Sequence, residues 1–374
     1  MAVSIPFIDL REQYRSIRSQ IDRAVHRVLA SGQFILGAEG EALEREVAAS
    51  CGTHHAVAVA SGTDALELAL RACGIGEGNE VITSVYSFFA TAEAILAVGA
   101  TPVFVDIDPE TYSLDPARVI AKITRRTTAI LPVHLYGHPC DMRRLVAIAR
   151  RYRLKLIEDC AQAIGARDHG RAVGGFGDAA ALSFYPTKNL GGYGDGGMVL
   201  TNHARVADQV RLLRNHGGRT RYRHLAIGTN SRLDELQAAV LRVKLRHLNR
   251  WIISRRRLAR RYAAAFRRYH LDRIIVPRER PGSFHVYHLY TIRVPGRDRI
   301  ARELARHGIG TQVAYPSTLA SQPALKGVIR RSASYPVAEA ASRTVLSLPM
   351  HPELSAAAIS RIVTSIARIV RGGQ

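Results

Sequence analysis

The sequence predicts an α/β protein: a mainly parallel sheet wrapped by helices, with a smaller C-terminal α+β domain. Three observations carry that reading. Apolar runs of strand length recur at residues 57–60, 80–83, 102–106, 129–133 and 154–158, separated by helix-length stretches. Alternating units of this kind specify parallel strands joined by crossover helices. Apolar residues make up 47% of the 374-residue chain, enough core for two domains. The texture then changes at Trp251, where a strongly basic helix begins. The division is therefore drawn at residue 250, into a large domain (1–250) and a small one (251–374).

Residues 1–31 read as a helical arm, because Leu10, Tyr14, Ile17, Ile21, Val25 and Leu29 keep near-helical spacing. Residues 34–37 turn into a second helix, 39–50. The strand at 57–60 runs into Ser61-Gly62-Thr63-Asp64 and a helix over 65–73. Free N–H groups and the dipole at such a helix start favour an anion. A plain N-cap by Ser61 or Thr63 accounts for the same residues. Gly74, Gly76 and Gly78 miss dinucleotide-binding spacing and read as a turn. After the strand at 80–83, Ser87-Phe88-Phe89-Ala90-Thr91 opens another helix; Phe88 either stacks on a flat ring or joins the core. Asp159 follows the strand at 154–158, at the carboxyl end where parallel sheets take their ligands. There it meets a ligand or caps the next helix, and Gln162 lies at the same helix start.

Beyond the glycine-rich stretch come a strand at 198–201 and a helix at 204–213. The basic segment 214–224 reads as a loop, either binding phosphate or diphosphate or simply solvated. Asn230 suits the N-cap of a helix running through 248. In the small domain the patterns give helices over 252–269, 297–307 and 338–346, and strands over 286–294 and 310–314.

The chain is organised around residues 183–197, Ser-Phe-Tyr-Pro-Thr-Lys-Asn-Leu-Gly-Gly-Tyr-Gly-Asp-Gly-Gly. Lys188 sits between an apolar run, 179–184, and glycines that let the backbone approach a flat ligand. Ser183, Phe184, Tyr185 and Leu190 suit an interior. Burial lowers a lysine from roughly 10.4 and frees a nucleophilic amine. Either this is a lysine on a solvated loop, or it is a Schiff-base lysine holding pyridoxal phosphate.

The run Ser-Phe-x-x-x-Lys-x-Leu with its glycines resembles the DegT/StrS nucleotide-sugar aminotransferases. So do Ser61-Gly62-Thr63-x-Ala-Leu and Glu158-Asp-x-Ala-Gln-Ala, in the same order, 29 residues separating Asp159 from Lys188. The likeness extends from Phe7 to Pro352. It implies the aspartate aminotransferase-like fold (fold type I) with a seven-stranded sheet, and pyridoxal phosphate as cofactor. By the same resemblance Lys188 anchors the cofactor and moves the proton, and Asp159 holds the ring nitrogen's proton. Gly62 and Thr63 carry the phosphate, Phe88 stacks on the ring, Gln162 meets its 3-oxygen, and Ser183 belongs to the same site. Asn230 reaches the phosphate of a neighbouring subunit, which implies a homodimer with shared sites. Tyr185, Arg219 and Tyr315 are assigned to substrate.

The segment 230–239 with Leu-Arg-Val-Lys-Leu after it looks most like enzymes that aminate C3 of dTDP-3-oxo-6-deoxyhexoses, with glutamate as amino donor. One departure leaves the sugar open: where the family often has His-Tyr-Pro and Leu-His-x-Gln, this chain has Ala314-Tyr315-Pro316 and Leu319-Ala320-Ser321-Gln322. UDP- or dTDP-linked 4-keto sugars and a UDP-3-keto-glucuronate are the alternative substrates. A PLP-binding regulator without turnover is the alternative from another class.

The remaining features exclude more than they assign. A net charge of +22 is smeared along the chain without a nucleic-acid-binding pattern, so a solvated arginine-rich surface is expected and no nucleic-acid partner. No apolar window reaches about 18 residues, and charge at Asp9 and Arg11 rules against a signal peptide, so neither membrane nor export is expected and the location is cytoplasmic. Cys51, Cys73, Cys140 and Cys160 form no close pair and read as buried free thiols. The histidines show no zinc spacing, so no metal is expected.

Overall fold

The computed structural model describes residues 4–329 and 334–371. Residues 1–3 of the expected arm, and 330–333 and 372–374 of the expected small domain, lie outside them. Seven strands form the central sheet, in the spatial order His55–Val59, Gly197–Thr201, Ala179–Ser183, Lys155–Asp159, Thr127–Leu131, Glu80–Ser84, Thr101–Val105. Gly197–Thr201 runs antiparallel to both neighbours; the other pairings are parallel. The reason is local. The return from Ser183 to Gly197 contains no helix, and a parallel crossover needs one.

Both faces of this sheet are covered, so its strands are near-continuous apolar runs rather than alternating ones. Val57, Val81, Leu131, Ile157 and Ala181 point into one core layer, and Ala58, Ala180, Leu182 and Met198 into the other. The expected arm is the helix Leu10–Ser31. Its buried stripe Ile17, Ile21, Ala24 and Val28 packs on Trp251 and Val243.

The helices expected on either side of residue 250 are one helix, Glu235–Arg268. Nothing between Leu248 and Ile252 breaks it, and both residues, with Trp251, are buried along its inner stripe. At 34 residues it is about 51 Å long. Its second half carries Leu258, Tyr262 and Phe266 into a separate core with Ile292, Leu346 and Ile362. Buried Arg255 ties this half of the helix to the C-terminal segments by donating to the carbonyls of Tyr287 (3.0 Å), His288 (3.3 Å) and Met350 (2.8 Å).

Other expectations for the C-terminal part need correction. Of residues 286–294 only Tyr290–Arg293 forms a strand, because Tyr287 takes a left-handed φ of 47°. It pairs antiparallel with Val345–Leu348, where the helix expected to reach 346 has already ended at Thr344. Residues 310–314 are not a strand; Gln312 makes a single bridge to Ser347. The basic segment 214–224 is not all loop: Gly218–Thr220 and Arg223–His224 form a small hairpin. The cysteines are free, and Cys73 is only half-buried. Among the described residues no helix is long and apolar enough to cross a membrane.

Candidate active site

The site assembles where three sheet strands end. Asp159 closes Lys155–Asp159 and is 5% exposed. Its carboxylate accepts from the Thr91 hydroxyl at 2.9 Å and from the Ala161 N–H at 3.1 Å. Thr91 is itself tied to Ser87 Oγ at 2.8 Å. Burial raises the Asp159 pKa, against the lowering effects of these two bonds and of Lys188. A buried carboxylate so placed is stabilised by an added N–H cation.

Lys188 lies in the turn after Ala179–Ser183. Its side chain is half-buried by surface area, yet protein surrounds the amine closely enough that desolvation lowers its pKa to about 8. Asp159 pulls the other way and is the weaker influence. The result is an amine that loses its proton more readily than a solvated lysine.

Ser61 caps the helix Gly62–Ala72 by accepting from Asp64 N–H at 3.1 Å. The capping role and the anion site therefore coexist: the cap uses the Ser61 side chain, and the first-turn N–H groups of Gly62 and Thr63 stay without an intrahelical acceptor. A Cβ at Gly62 would lie 2.6 Å from Ser183 Cβ, so this helix start is pressed against the strand leading to Lys188. Behind it, Ser231 Oγ accepts from Ala60 N–H (3.1 Å) and donates to Asp64 (2.5 Å).

The remaining expected residues fall into two groups. Gln162 is buried; its amide donates to the Tyr315 hydroxyl and its carbonyl oxygen accepts from Tyr136 N–H at 2.7 Å. Phe88, just before the helix Ala90–Ala97, leaves 61% of its surface open, so it is no core residue. Tyr185 is 52% exposed. Arg219 lies exposed on the hairpin. Asn230 is exposed and lines a cavity of about 440 Å³ with Arg232, Ala60 and Gly194. Ala314 is buried and Ala320 half-buried; the Ala314 carbonyl accepts from Tyr86 at 3.2 Å.

The sequence reading missed a tyrosine group. Tyr136 stacks on Tyr315 at 6.2 Å, and Tyr86 meets Tyr315 edge-on at 5.8 Å. Tyr136 has a φ of 57° and Tyr315 of 62°, a backbone state no periodicity announces. Also missed was His288, buried with Nδ1 unpartnered, its pKa held down by burial first and then by Lys188 and Arg255. Glu158, beside Asp159, has a different task. It accepts from Gly174, Phe176 and Gly177 N–H groups and lies 3.2 Å from His134. Those bonds occupy the carboxylate of the His134–Glu158–Cys160 trio, the one group among the described residues with metal-ligand geometry.

A depressed amine, a buried carboxylate short of a cation, an open aromatic ring and two free N–H groups at a helix start fit pyridoxal phosphate. Comparison with known proteins agrees. The chain is 46% identical to the pleiotropic regulatory protein of Geobacillus stearothermophilus over 99% of each. It is 47% identical to the UDP-N-acetyl-3-dehydro-alpha-D-glucosamine 3-aminotransferase of Acidithiobacillus ferrooxidans, again over 99% of each. It is 46% identical to the dTDP-3-amino-3,4,6-trideoxy-alpha-D-glucose transaminase of Streptomyces venezuelae, over 97% of this chain and 95% of that one. Among solved structures, S. venezuelae DesV with a ketimine intermediate superposes with a TM-score of 0.95 at 46% identity, covering 98% of both. Bacillus subtilis NtdA with bound PMP gives 0.92 at 32% identity, covering 99% of this chain and 86% of that one. With the model of the DegT/DnrJ/EryC1/StrS aminotransferase family matching residues 15–367, the chain belongs to that family, a PLP-dependent transaminase of the aspartate aminotransferase-like fold.

Proposed function

We propose that the chain transfers an amino group from an amino acid, glutamate first among them, to the C3 keto group of a dTDP-linked keto-deoxyhexose, in amino-sugar biosynthesis. The observation that carries the reading is a depressed amine, Lys188, coupled to buried Asp159, with the helix start at Gly62 pressed against Ser183 of the strand that leads to the lysine. The S. venezuelae relative, named for a dTDP-3-amino sugar, supports the nucleotide and the position.

Bound pyridoxal phosphate supplies an aldehyde for amine capture and a ring that takes up negative charge. The protein's residues do the rest. Lys188 would anchor the cofactor and, as a free amine, would carry a proton to and from the donor's α-carbon, which needs an amine of lowered pKa. Asp159 holds the proton on the ring nitrogen through a charge-assisted bond, itself oriented by Thr91 and Ala161. Gly62 and Thr63 N–H groups, with Ser183 beside them, take the phosphate. Phe88 would cover the ring and Gln162, its carbonyl held by Tyr136, would meet the 3-oxygen. Tyr185, Arg219 and Tyr315 take the sugar diphosphate; of these Tyr315 is bonded to Gln162, and the other two stand exposed for a ligand. Asn230 serves the neighbouring subunit of a cytoplasmic homodimer. The division near residue 250 into a large cofactor domain and a small domain belongs to the same reading, with the helix Glu235–Arg268 bridging both.

Two rival readings are favoured by relatives. A UDP-linked 3-keto sugar follows the A. ferrooxidans enzyme, and a regulator without turnover follows the Geobacillus protein. One experiment separates them: dTDP- and UDP-linked 3-keto and 4-keto sugars are incubated with glutamate and read by mass spectrometry. A gain of one amino group on the dTDP-3-keto sugar is expected. Turnover of UDP sugars alone gives the first rival, and no turnover of any sugar gives the second.

A further inference from the structure

The turn that carries Lys188 is held from beneath by the helix Glu235–Arg268. Lys244 of that helix is completely buried, and its Nζ donates to the Gly191 carbonyl at 2.7 Å. Its Nζ lies over the Tyr193 ring, 4.0 Å from the centroid, and the Glu353 carboxylate acts on it only as the lesser influence beside burial. Two helical turns earlier, Gln237 accepts from Tyr193 N–H at 2.7 Å and crowds Gly192 and Gly194. From above, the turn folds back on itself: Lys188 N–H donates to Tyr185 O at 2.9 Å, and Gly192 N–H to Phe184 O at 2.7 Å. A Cβ at Gly191 would lie 2.3 Å from the Pro186 oxygen. The Gly191 peptide is thus clamped between Pro186 and Lys244, three residues from Lys188.

A buried ammonium is costly, and burial lowers the Lys244 pKa to about 7. A methionine fills the same slot without that cost, but cannot donate to Gly191. We propose that Lys244 is a positioning residue: its bond to the Gly191 carbonyl fixes the glycine turn and so places the Lys188 amine beside Asp159. This rests on Lys188 being the cofactor lysine.

The test compares wild type, Lys244→Met, Lys244→Gln and Tyr193→Leu. In the cofactor-free proteins, acylation of Lys188 by a small reagent is followed over a pH series by peptide mass spectrometry. In the loaded proteins, kcat and KM for the sugar are measured. In Lys244→Met, the Lys188 profile shifts by about one pH unit toward that of a free lysine, and kcat falls about 10-fold while KM stays within about twofold. Lys244→Gln, which keeps an N–H donor, recovers part of both. A folded Lys244→Met with the wild-type Lys188 profile and kcat overturns the proposal. Should Lys244→Met fail to fold, Tyr193→Leu decides: a shift in the same direction with about a threefold loss of kcat supports it, and an unchanged profile overturns it. Failure of borohydride to trap the cofactor on Lys188 of the wild type refutes the anchor assignment instead, a result distinct from either.

Discussion

Lys188 and Asp159 titrate against each other's needs. Desolvation lowers the lysine to about 8 and raises the aspartate, and each opposes the other's shift as a lesser influence than burial. The sign for the lysine is plain. Its folded pKa lies below the unfolded value of roughly 10.4, so the folded state binds fewer protons between the two and stability rises with pH across that window. In cofactor-free protein, acylation of Lys188 should reach half its maximum near pH 8, well below the solvated lysines, as peptide mass spectrometry can follow. Asp159 runs the other way: its raised folded pKa makes stability fall as pH climbs above the ordinary carboxylate value, until a cation joins it. Asp159→Asn keeps the shape and loses the charge. It should lower kcat by about 10²-fold or more while leaving attachment of cofactor to Lys188 intact, measured by steady-state kinetics and absorbance.

At the scale of elements, the helix start at Gly62 and the glycine turn after Lys188 are the parts that bring these groups together. Gly62 is set by space rather than by conformation, since a Cβ there meets Ser183 Cβ at 2.6 Å and its Cα at 3.2 Å. Gly62→Ala should therefore push the phosphate turn away from the strand. About a 10-fold weaker Kd for pyridoxal phosphate is expected by equilibrium titration, or about 1.4 kcal/mol. The sheet strands, the helix start and the lysine turn were legible because apolar runs, a capping serine and clustered glycines are local signals. The join of two expected helices into Glu235–Arg268 was not, because the basic surface after Trp251 masked an unbroken inner stripe of Leu248, Trp251, Ile252 and Arg255. Nor was the tyrosine group legible: Tyr86, Tyr136 and Tyr315 are far apart in sequence and meet only through left-handed backbone at two of them.

At the scale of the molecule, the proposed reading builds each site from two chains. Asn230 is exposed, while its neighbour Ser231 is bonded to Ala60 and Asp64 at the helix start of its own chain. If sites are shared, Lys188→Ala and Asn230→Ala chains are each impaired alone, and their hybrid holds one complete site. Random mixing should then restore about a quarter of wild-type activity, whereas self-contained sites give no restoration. The +22 charge belongs to this scale as well: arginines such as Arg246, Arg250, Arg257 and Arg261 lie exposed along one helix, a solvated surface rather than a site.

The most direct measurement is borohydride reduction of the purified protein with pyridoxal phosphate, followed by peptide mapping. The expected result is a single stable adduct on the peptide bearing Lys188, absent from Lys188→Ala. A colourless protein, or an adduct carried by a different lysine, contradicts the assignment on which the mechanism is built.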